Sequence, residues 1–487
     1  MKSAGSSTIL FAYLLLMLSS RASAQSVVTS SYSPDYHFKL NDTSFFPIGW
    51  YNVQRKADLL TLKKSGANIV LTYWNGIWEK YGHPKPKPYT RDEYLFSLRS
   101  FLRAADSAGL KAIVDLGATA NGDFGFSGSG IARLVDSVAA YPAVFAWYLY
   151  DEPYFNLWYT SCNAWPTRDY LQEVADTVRS VERRLFGRQR HPLLPVIADP
   201  RFFADYNSGG IDTCKSGKAV RLPPPFYPAS YDAIGWDDYP YTRAMDTNTH
   251  WWRDFNDVSR LVARRAMEQT RKLRKMAFLF VAQGADASAG TDLRSLTSNE
   301  ILYESISPVI QGARGLLYWW WREEDSSPQT RSAINNFIRF FTHEKLDKVL
   351  MNGQNCDARL ALGSFSYNDT PAVSKAYVWK NHNNLHRVIM DTSDAGTLSF
   401  RLFNYVVRKY SGAYFILAVN DYRKTVRTNF ILDGLVESNA GIRRIVELRP
   451  EGSREQQFER GARKNEGTVP VTFVGYGVHI FKIELSH

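Results

Sequence analysis

Residues 146 to 154 read AWYLYDEPY, an apolar and aromatic run that stops at two adjacent carboxylates, Asp151 and Glu152, followed by Pro153. A Glu that leaves such a run and precedes a proline has no helix-capping role, and its ready use is to give or take a proton at a reacting centre. The same kind of ending recurs along the chain. DAIGWDD ends in Asp237 and Asp238 and runs into Tyr239, KAIVDLG carries Asp115, and ANIVLTYW ends in Tyr73 and Trp74. FFPIGW ends in Trp50, AFLFVAQG carries Gln283, and GLLYWWW ends in Trp319 to Trp321 ahead of the acidic run Glu323, Glu324 and Asp325. Carboxylates are the groups for acid–base or nucleophilic work near neutral pH, and flat aromatic side chains offer faces on which a ring can stack.

These endings belong to eight short apolar segments, at 45–50, 67–74, 111–117, 144–152, 193–199, 232–238, 277–284 and 315–321. Amphipathic stretches separate them, among them DEYLFSLRSFLRAADSAG (92–109) and TRDYLQEVADTVRSVERRL (167–185), with apolar residues at helical spacing. Strands that are apolar on both faces are those of a parallel sheet covered by helices, and eight such units predict a (β/α)8 TIM barrel over residues 37–350. The C-terminal ends of the strands then form one mouth, which gathers Asp115, Asp151, Glu152, Asp237 and Asp238. Trp50, Tyr73, Trp74, Tyr239, Gln283, Trp319 and Trp321 become the candidate substrate-binding residues around them. Because side chains alternate along a strand, at least one tryptophan of 319–321 is expected to face the core or the helices, and the outermost to face the mouth. After residue 350 the pattern turns to alternating strands without long helices, KAYVWKN, HRVIMDT, GTLSFRLFNYV, YFILAVND, TNFILDG, GIRRIVEL and GVHIFKIEL. That predicts an antiparallel β-sandwich over 351–487, with YFILAVNDYRKTVRTNFIL read as two paired strands about a polar turn.

An acidic, aromatic mouth suits cleavage of a glycosidic bond, which needs one acid to protonate the leaving oxygen, a second carboxylate, and stacking rings to orient the sugar. The chain resembles the retaining glycoside hydrolases of the large (β/α)8 clan, and WYLYDEP, VAQGA and GARGLLYWWW look like a bacterial branch of such barrels. The resemblance implies an acid/base Glu at the end of strand 4, which Glu152 matches, with Asp151 in the place of the usual Asn. It also implies a nucleophilic Glu at the end of strand 7, where this chain has Gln283, and an amide is neither a nucleophile nor a titratable base. Three routes stay open. In an inverting reaction Asp237, Asp238 or Glu323 activates water at roughly 6.5–9.5 Å from Glu152. In a substrate-assisted one, similar to that of several N-acetylhexosaminidase families, Asp151 steadies the substrate's own acetamido group and Glu152 donates the proton. In a retaining one, Asp286 or another loop carboxylate replaces Gln283. Against these stand a carbohydrate-binding pseudoenzyme on the same fold and a basic adhesion or scaffold protein. A strand-end Asp such as Asp151 or Asp115 also serves well as a purely structural acceptor, and Glu323 to Asp325 as a solvated loop.

The chain's start bears on where it works. Lys2, the apolar run ILFAYLLLML and Ala22-Ser23-Ala24 predict a cleavable signal peptide over 1–24. The ten-residue run falls short of the roughly 20 residues of a membrane-spanning helix, so no transmembrane segment is expected after cleavage. A secreted, periplasmic or cell-surface location follows, and there Cys162 and Cys214, in polar segments, are candidates for a disulfide. The formal charge of +11 falls by two if Lys2 and Arg21 leave with the signal, and the basic residues are spread along helices such as RLVARRAMEQTRKLRK (260–275). That distribution argues against nucleic acid and leaves an oligo- or polysaccharide as the expected partner. No phosphate-binding glycine loop follows a strand, and none of the nine histidines is assigned to a metal. No cofactor is therefore expected.

Overall fold

A computed structural model describes residues 30–32, 37–53, 55–72, 91–116, 128–151, 168–197, 211–213, 219–221, 231–238, 277–284, 294–319, 321, 326–362, 366–367, 376–380, 386–392, 396–401, 403–421, 425–436 and 440–486. Within them lies a closed barrel of eight parallel strands. These are β1 (Ile48–Tyr51), β2 (Ile69–Thr72), β3 (Lys111–Asp115), β4 (Val144–Asp151), β5 (Leu193–Ile197), β6 (Ala233–Asp238), β7 (Ala277–Gln283) and β8 (Leu316–Trp319). Each strand pairs with its neighbours in sequence, β8 pairs with β1, and every apolar segment singled out in the sequence supplies one stave.

The two faces of the staves bury different things. Inward lie Tyr51, Leu71, Ile113, Tyr148, Leu194, Val196, Leu279, Val281 and Leu317, a closed core of its own. Outward lie Trp50, Val70, Val114, Trp147, Trp236, Phe280 and Tyr318, which pack on the helical shell. Alternation along each strand produces this division. Gly49 lets two staves approach closely: a Cβ there would sit 1.8 Å from the Ile69 carbonyl oxygen. At the N-terminal end of the barrel, Phe38 and Phe45 from the segment before β1 pack on Phe145, with ring centroids 5.7 and 5.1 Å apart, and plug that end.

The described helices of the shell are α1 (Lys56–Lys64), α2 (Arg91–Ser107), α3 (Gly128–Val138), α4 (Arg168–Phe186), α5 (Ser298–Gln311), α6 (Pro328–His343) and α7 (Leu346–Asn352). The expected helix over 260–275 lies outside the described residues. In α4, Val174, Ala175, Val178 and Val181 form the buried stripe. Thr297 and Glu300 form a reciprocal capping box at the start of α5, and Ser327 with Pro328 starts α6. No helix among the described residues is long and apolar enough to cross a membrane.

Beyond α7 come β9 (Phe403–Tyr410), β10 (Ala413–Asn420), β11 (Val426–Ile431), β12 (Gly441–Leu448), β13 (Gly467–Phe473) and β14 (Val478–Ser486). They divide between two antiparallel sheets. The larger is ordered Gln354–Asn355, β9, β10, β14, β12, Arg454–Gln456, and the smaller Ala361–Leu362, β11, β13, Glu459–Arg460. Val407, Tyr414, Ile416 and Ile483 of the first meet Phe430, Val469, Val471 and Phe473 of the second in a common core, as a sandwich requires. The other face of the large sheet, through Val406, Phe415, Leu417 and Ile480, joins the core of the barrel's helical shell.

Two details differ from the sequence reading. YFILAVNDYRKTVRTNFIL is not a hairpin: β10 pairs with β9 and β14, whereas β11 pairs with β13 in the opposite sheet. A polar turn between two apolar strands serves a crossing from sheet to sheet as well as a hairpin. GTLSFRLFNYV is likewise split, its first half lying in a separate three-stranded sheet (Ala376–Lys380, His386–Thr392, Gly396–Arg401) and its second half forming β9.

Candidate active site

The C-terminal ends of β3 and β6 each bring a carboxylate to an inward position. Asp115 follows the inward Ile113 by two residues and is 2% exposed, and Asp237 follows Ala233 and Gly235 on the inward face of β6 and is 3% exposed. Thr72, the last residue of β2, holds the end of β3: its hydroxyl accepts the Asp115 N–H at 3.1 Å and donates to the Ile113 carbonyl at 3.4 Å. The Asp115 charge reaches into the shell. Burial first, and then that charge, push the Tyr94 phenol above its ordinary range.

At the level of Asp115 the barrel interior is polar in a way the sequence does not reveal. Tyr51 of β1 and Tyr148 of β4 join hydroxyl to hydroxyl, with rings edge to face, 88° apart in plane and 5.9 Å between centroids. Tyr148 stands in the same rung as Asp115. The phenol pair joins residues 97 positions apart, and strands apolar on both sides do not reveal which face is the inner one.

Next to this pair the ladder between β4 and β5 slips. Tyr148 faces Leu194, but Asp151 faces Val196, so two residues of β4 span one of β5, Pro195. Pro195 has no N–H to give to the ladder, and a bulge absorbs the mismatch. The slip brings Asp151 into the rung of the inward-facing Val196.

Gln283 closes β7 and is fully buried. Its Nε2 donates to the Arg294 carbonyl at 3.1 Å. The Gly284 N–H donates to the Trp319 carbonyl, and the Gly284 carbonyl accepts from the Ser326 hydroxyl at 2.8 Å. A Cβ at Gly284 would lie 2.6 Å from that same Trp319 oxygen, so only glycine fits between the ends of β7 and β8.

The candidate ring-binding tryptophans separate cleanly. Trp319 is half-buried and packs on the inward core, at the level of Gln283, its partner in the ladder. Trp50 faces the shell instead, is 0% exposed, and donates its indole N–H to Asn335 Oδ1 of α6 at 3.1 Å. It is a core residue and has no face to offer a substrate. Trp321, the outermost of its run, also turns to the shell, with Arg331 5.6 Å from its ring centre. Expecting the outermost ring to face the mouth was therefore incorrect: counting from the inward Leu317, Trp319 shares its parity, while Trp321 has left the strand.

Asp151 and Asp238 are the terminal residues of β4 and β6, and only their places in the strands are described. Glu152, Tyr73, Trp74, Tyr239, Glu323, Asp286, Cys162 and Cys214 lie outside the described residues. Cys356 is a buried free thiol. Among the described residues no three His, Cys, Asp or Glu side chains gather as a metal would need. A groove of about 600 Å³ lined by Ala132, Gln172, Glu173 and Asp176 lies between α3 and α4, on the helical shell rather than at the strand ends. The described strand ends thus carry two buried carboxylates, Asp115 and Asp237, on different staves, with the Tyr51–Tyr148 pair and the half-buried Trp319 on the same inward face.

No family model and no curated protein matches the chain. Among solved structures it is similar to an alpha-amylase from Geobacillus thermoleovorans complexed with acarbose, at 12% identity over 93% of this chain and 99% of that one, with a TM-score of 0.43. It is similar to a GH42 beta-galactosidase from G. stearothermophilus, at 8% identity over 90% and 98%, TM-score 0.45. A GH30 endoxylanase from Clostridium papyrosolvens is 8% identical over 94% and 98%, TM-score 0.41. At identities of 8 to 12% the likeness is one of chain course, and it carries no residue's role across.

Proposed function

We propose that this chain is an exported glycoside hydrolase acting on an oligo- or polysaccharide, with Glu152 as the general acid and Asp237 as the base that activates water. The observation that carries the reading is the burial of Asp115 and Asp237 on the inward face of a closed (β/α)8 barrel, at the ends of two staves. Buried carboxylates are costly and cluster where proton transfer is done. In the proposed reaction Glu152 gives its proton to the glycosidic oxygen as the bond to the anomeric carbon breaks. Asp237 takes a proton from the water that attacks that carbon from the opposite face. Trp319 supplies a stacking face, and Asp115 holds charge and geometry beneath the mouth.

The slip that sets Asp151 in the rung of Val196 supports a second reading. There the acetamido group of an N-acetylhexosamine attacks the anomeric carbon, Asp151 stabilises the developing positive charge on that group, and Glu152 again protonates the leaving oxygen. The test is a panel of glycans assayed for released reducing ends with wild type, Glu152→Gln, Asp237→Asn and Asp151→Asn. Loss of an acid or base is expected to lower kcat by about 10²–10⁴. Undiminished turnover by Glu152→Gln would sink both readings, and the pattern across Asp237→Asn and Asp151→Asn chooses between them.

A further inference from the structure

We infer that Tyr51 and Tyr148 are positioning residues: joined hydroxyl to hydroxyl across the barrel, they brace β4 against β1 at the last rung before β4 slips and ends at Asp151. The kinetic part rests on the glycosidase reading and deepens it, because it names what steadies the strand that leads to the proposed acid.

The two phenols come from staves that are not neighbours. β2 and β3 stand between β1 and β4 on one side of the ring, and four staves stand between them on the other. No ladder joins β1 to β4 directly, and the hydroxyl contact adds a link through the interior. Both side chains are buried, at 1% and 0% exposed, so the contact lies away from water, where a hydrogen bond is strong and its loss costly.

Backbone sets each end of this link. Tyr51 closes β1 in register with Leu71, and its carbonyl accepts the Trp321 N–H at 3.0 Å. Tyr148 shares a rung with Asp115 and Leu194, and its carbonyl accepts the Leu116 N–H at 2.8 Å. Among the described residues, Tyr148 is the last of β4 to pair with β3. Immediately beyond it the pairing with β5 breaks as well, and resumes at Asp151 with Val196. A bulge gives up ladder pairing for a change of direction, so the course of the residues past it depends on the last firm point before it. Tyr148 is that point on β4. A small shift there is carried to Asp151 and the residue that follows, and proton transfer tolerates little displacement.

Each phenol makes further interactions, so the link is read from a double-variant cycle rather than from either single loss. Tyr51→Phe, Tyr148→Phe and the double variant of the full-length protein keep the edge-to-face rings and remove only hydroxyls. On p-nitrophenyl glycosides each single variant is expected to lower kcat about tenfold with KM within about twofold, and the double variant to fall about tenfold as well rather than about a hundredfold. A role in stability alone would leave kcat of the folded fraction at the wild-type level. Amide exchange followed by mass spectrometry needs no substrate. Exchange at Leu149 to Asp151 is expected to quicken about tenfold in each single variant and no further in the double, with β7 exchanging as in wild type. Single losses in kcat that multiply in the double variant, or exchange at Leu149 to Asp151 that stays at the wild-type rate in both single variants, would overturn the inference. If wild type releases no sugar while the exchange pattern appears, the glycosidase reading falls and the brace stands. If sugar is released with kcat unmoved in all three variants, the brace falls and the reading stands.

Discussion

Trp50 and Trp321 meet edge to face on the shell side of the barrel, with ring centroids 5.0 Å apart, while Trp319 stands on the inner side. Trp50→Phe therefore breaks the indole bond to Asn335 and loosens the packing on Trp321. It should cost about 1–3 kcal/mol in stability and leave KM unchanged. Trp319→Ala should do the opposite, raising KM for any turned-over glycan about tenfold with a smaller loss of stability. Urea unfolding paired with Michaelis kinetics separates the two, and a KM effect at Trp50 would contradict the division between inner and outer faces.

Asp421, just past β10, is the weld between sandwich and barrel. One of its oxygens accepts from the Tyr303 hydroxyl at 2.7 Å and the Ser307 hydroxyl at 2.8 Å, both on α5, and the other accepts from Asn404 at 2.5 Å. Asp421→Ala removes the acceptor shared by the buried Tyr303 and Ser307 hydroxyls and that of the half-buried Asn404 amide, and is expected to cost about 3 kcal/mol. The barrel and the sandwich are then expected to melt in separable steps by differential scanning calorimetry, against a single expected step for wild type.

Glu447 on β12 should give the protein an acid limb of instability. Burial alone would raise its pKa, but His479 at 2.7 Å, Arg449 at 2.6 Å and Arg454 at 2.7 Å bring it down to about 2. A carboxyl depressed in the folded state stabilises above its unfolded pKa, near 4.3, and that contribution is lost as pH falls toward about 2. Glu447→Gln should be less stable by about 2 kcal/mol at pH 7 and should flatten the decline of Tm between pH 5 and pH 2.5.

Glu182 of α4 sits at the opposite end of the barrel from the mouth and should matter for stability alone. It is fully buried, accepts from Trp147 Nε1 at 2.8 Å and the Arg190 N–H at 2.7 Å, and pairs with His191 Nδ1 at 2.5 Å. The His191 N–H also donates to it at 3.2 Å, so Glu182→Leu removes the partner of four groups, and a loss of about 3 kcal/mol or more is expected, with kcat of the folded fraction unaltered. A fall in kcat without a fall in Tm would contradict this.

The eight staves were legible because strands buried on both faces leave an unbroken apolar record, and the intervening helices leave a different period. Which residues face inward was not legible, and for the same reason. Trp50 and Tyr51 are equally apolar in their surroundings, and only the closed barrel sends one to Asn335 and the other to Tyr148. In the sandwich the strand Gly467–Phe473 went unread: GTVPVTF carries a proline, which argues against a strand until Pro470 is seen in register with Asn429 of β11. Of the candidate site, Asp115 and Asp237 were named from strand ends alone. The phenol pair and the slip at Pro195 depend on contacts across the barrel and between staves, which no local pattern records.

The pairing of Leu316 with Ile48 has a consequence for how the chain must be born. Until β8 has been synthesised, β1 has no partner on one side and the growing sheet carries an open edge, the kind that recruits strands from other molecules. Closing the ring joins residues some 268 positions apart, a slow step by its topology. A nascent chain halted before residue 316 should be captured by holding chaperones, and one released after α6 should not, which makes β8 the latch of the whole assembly.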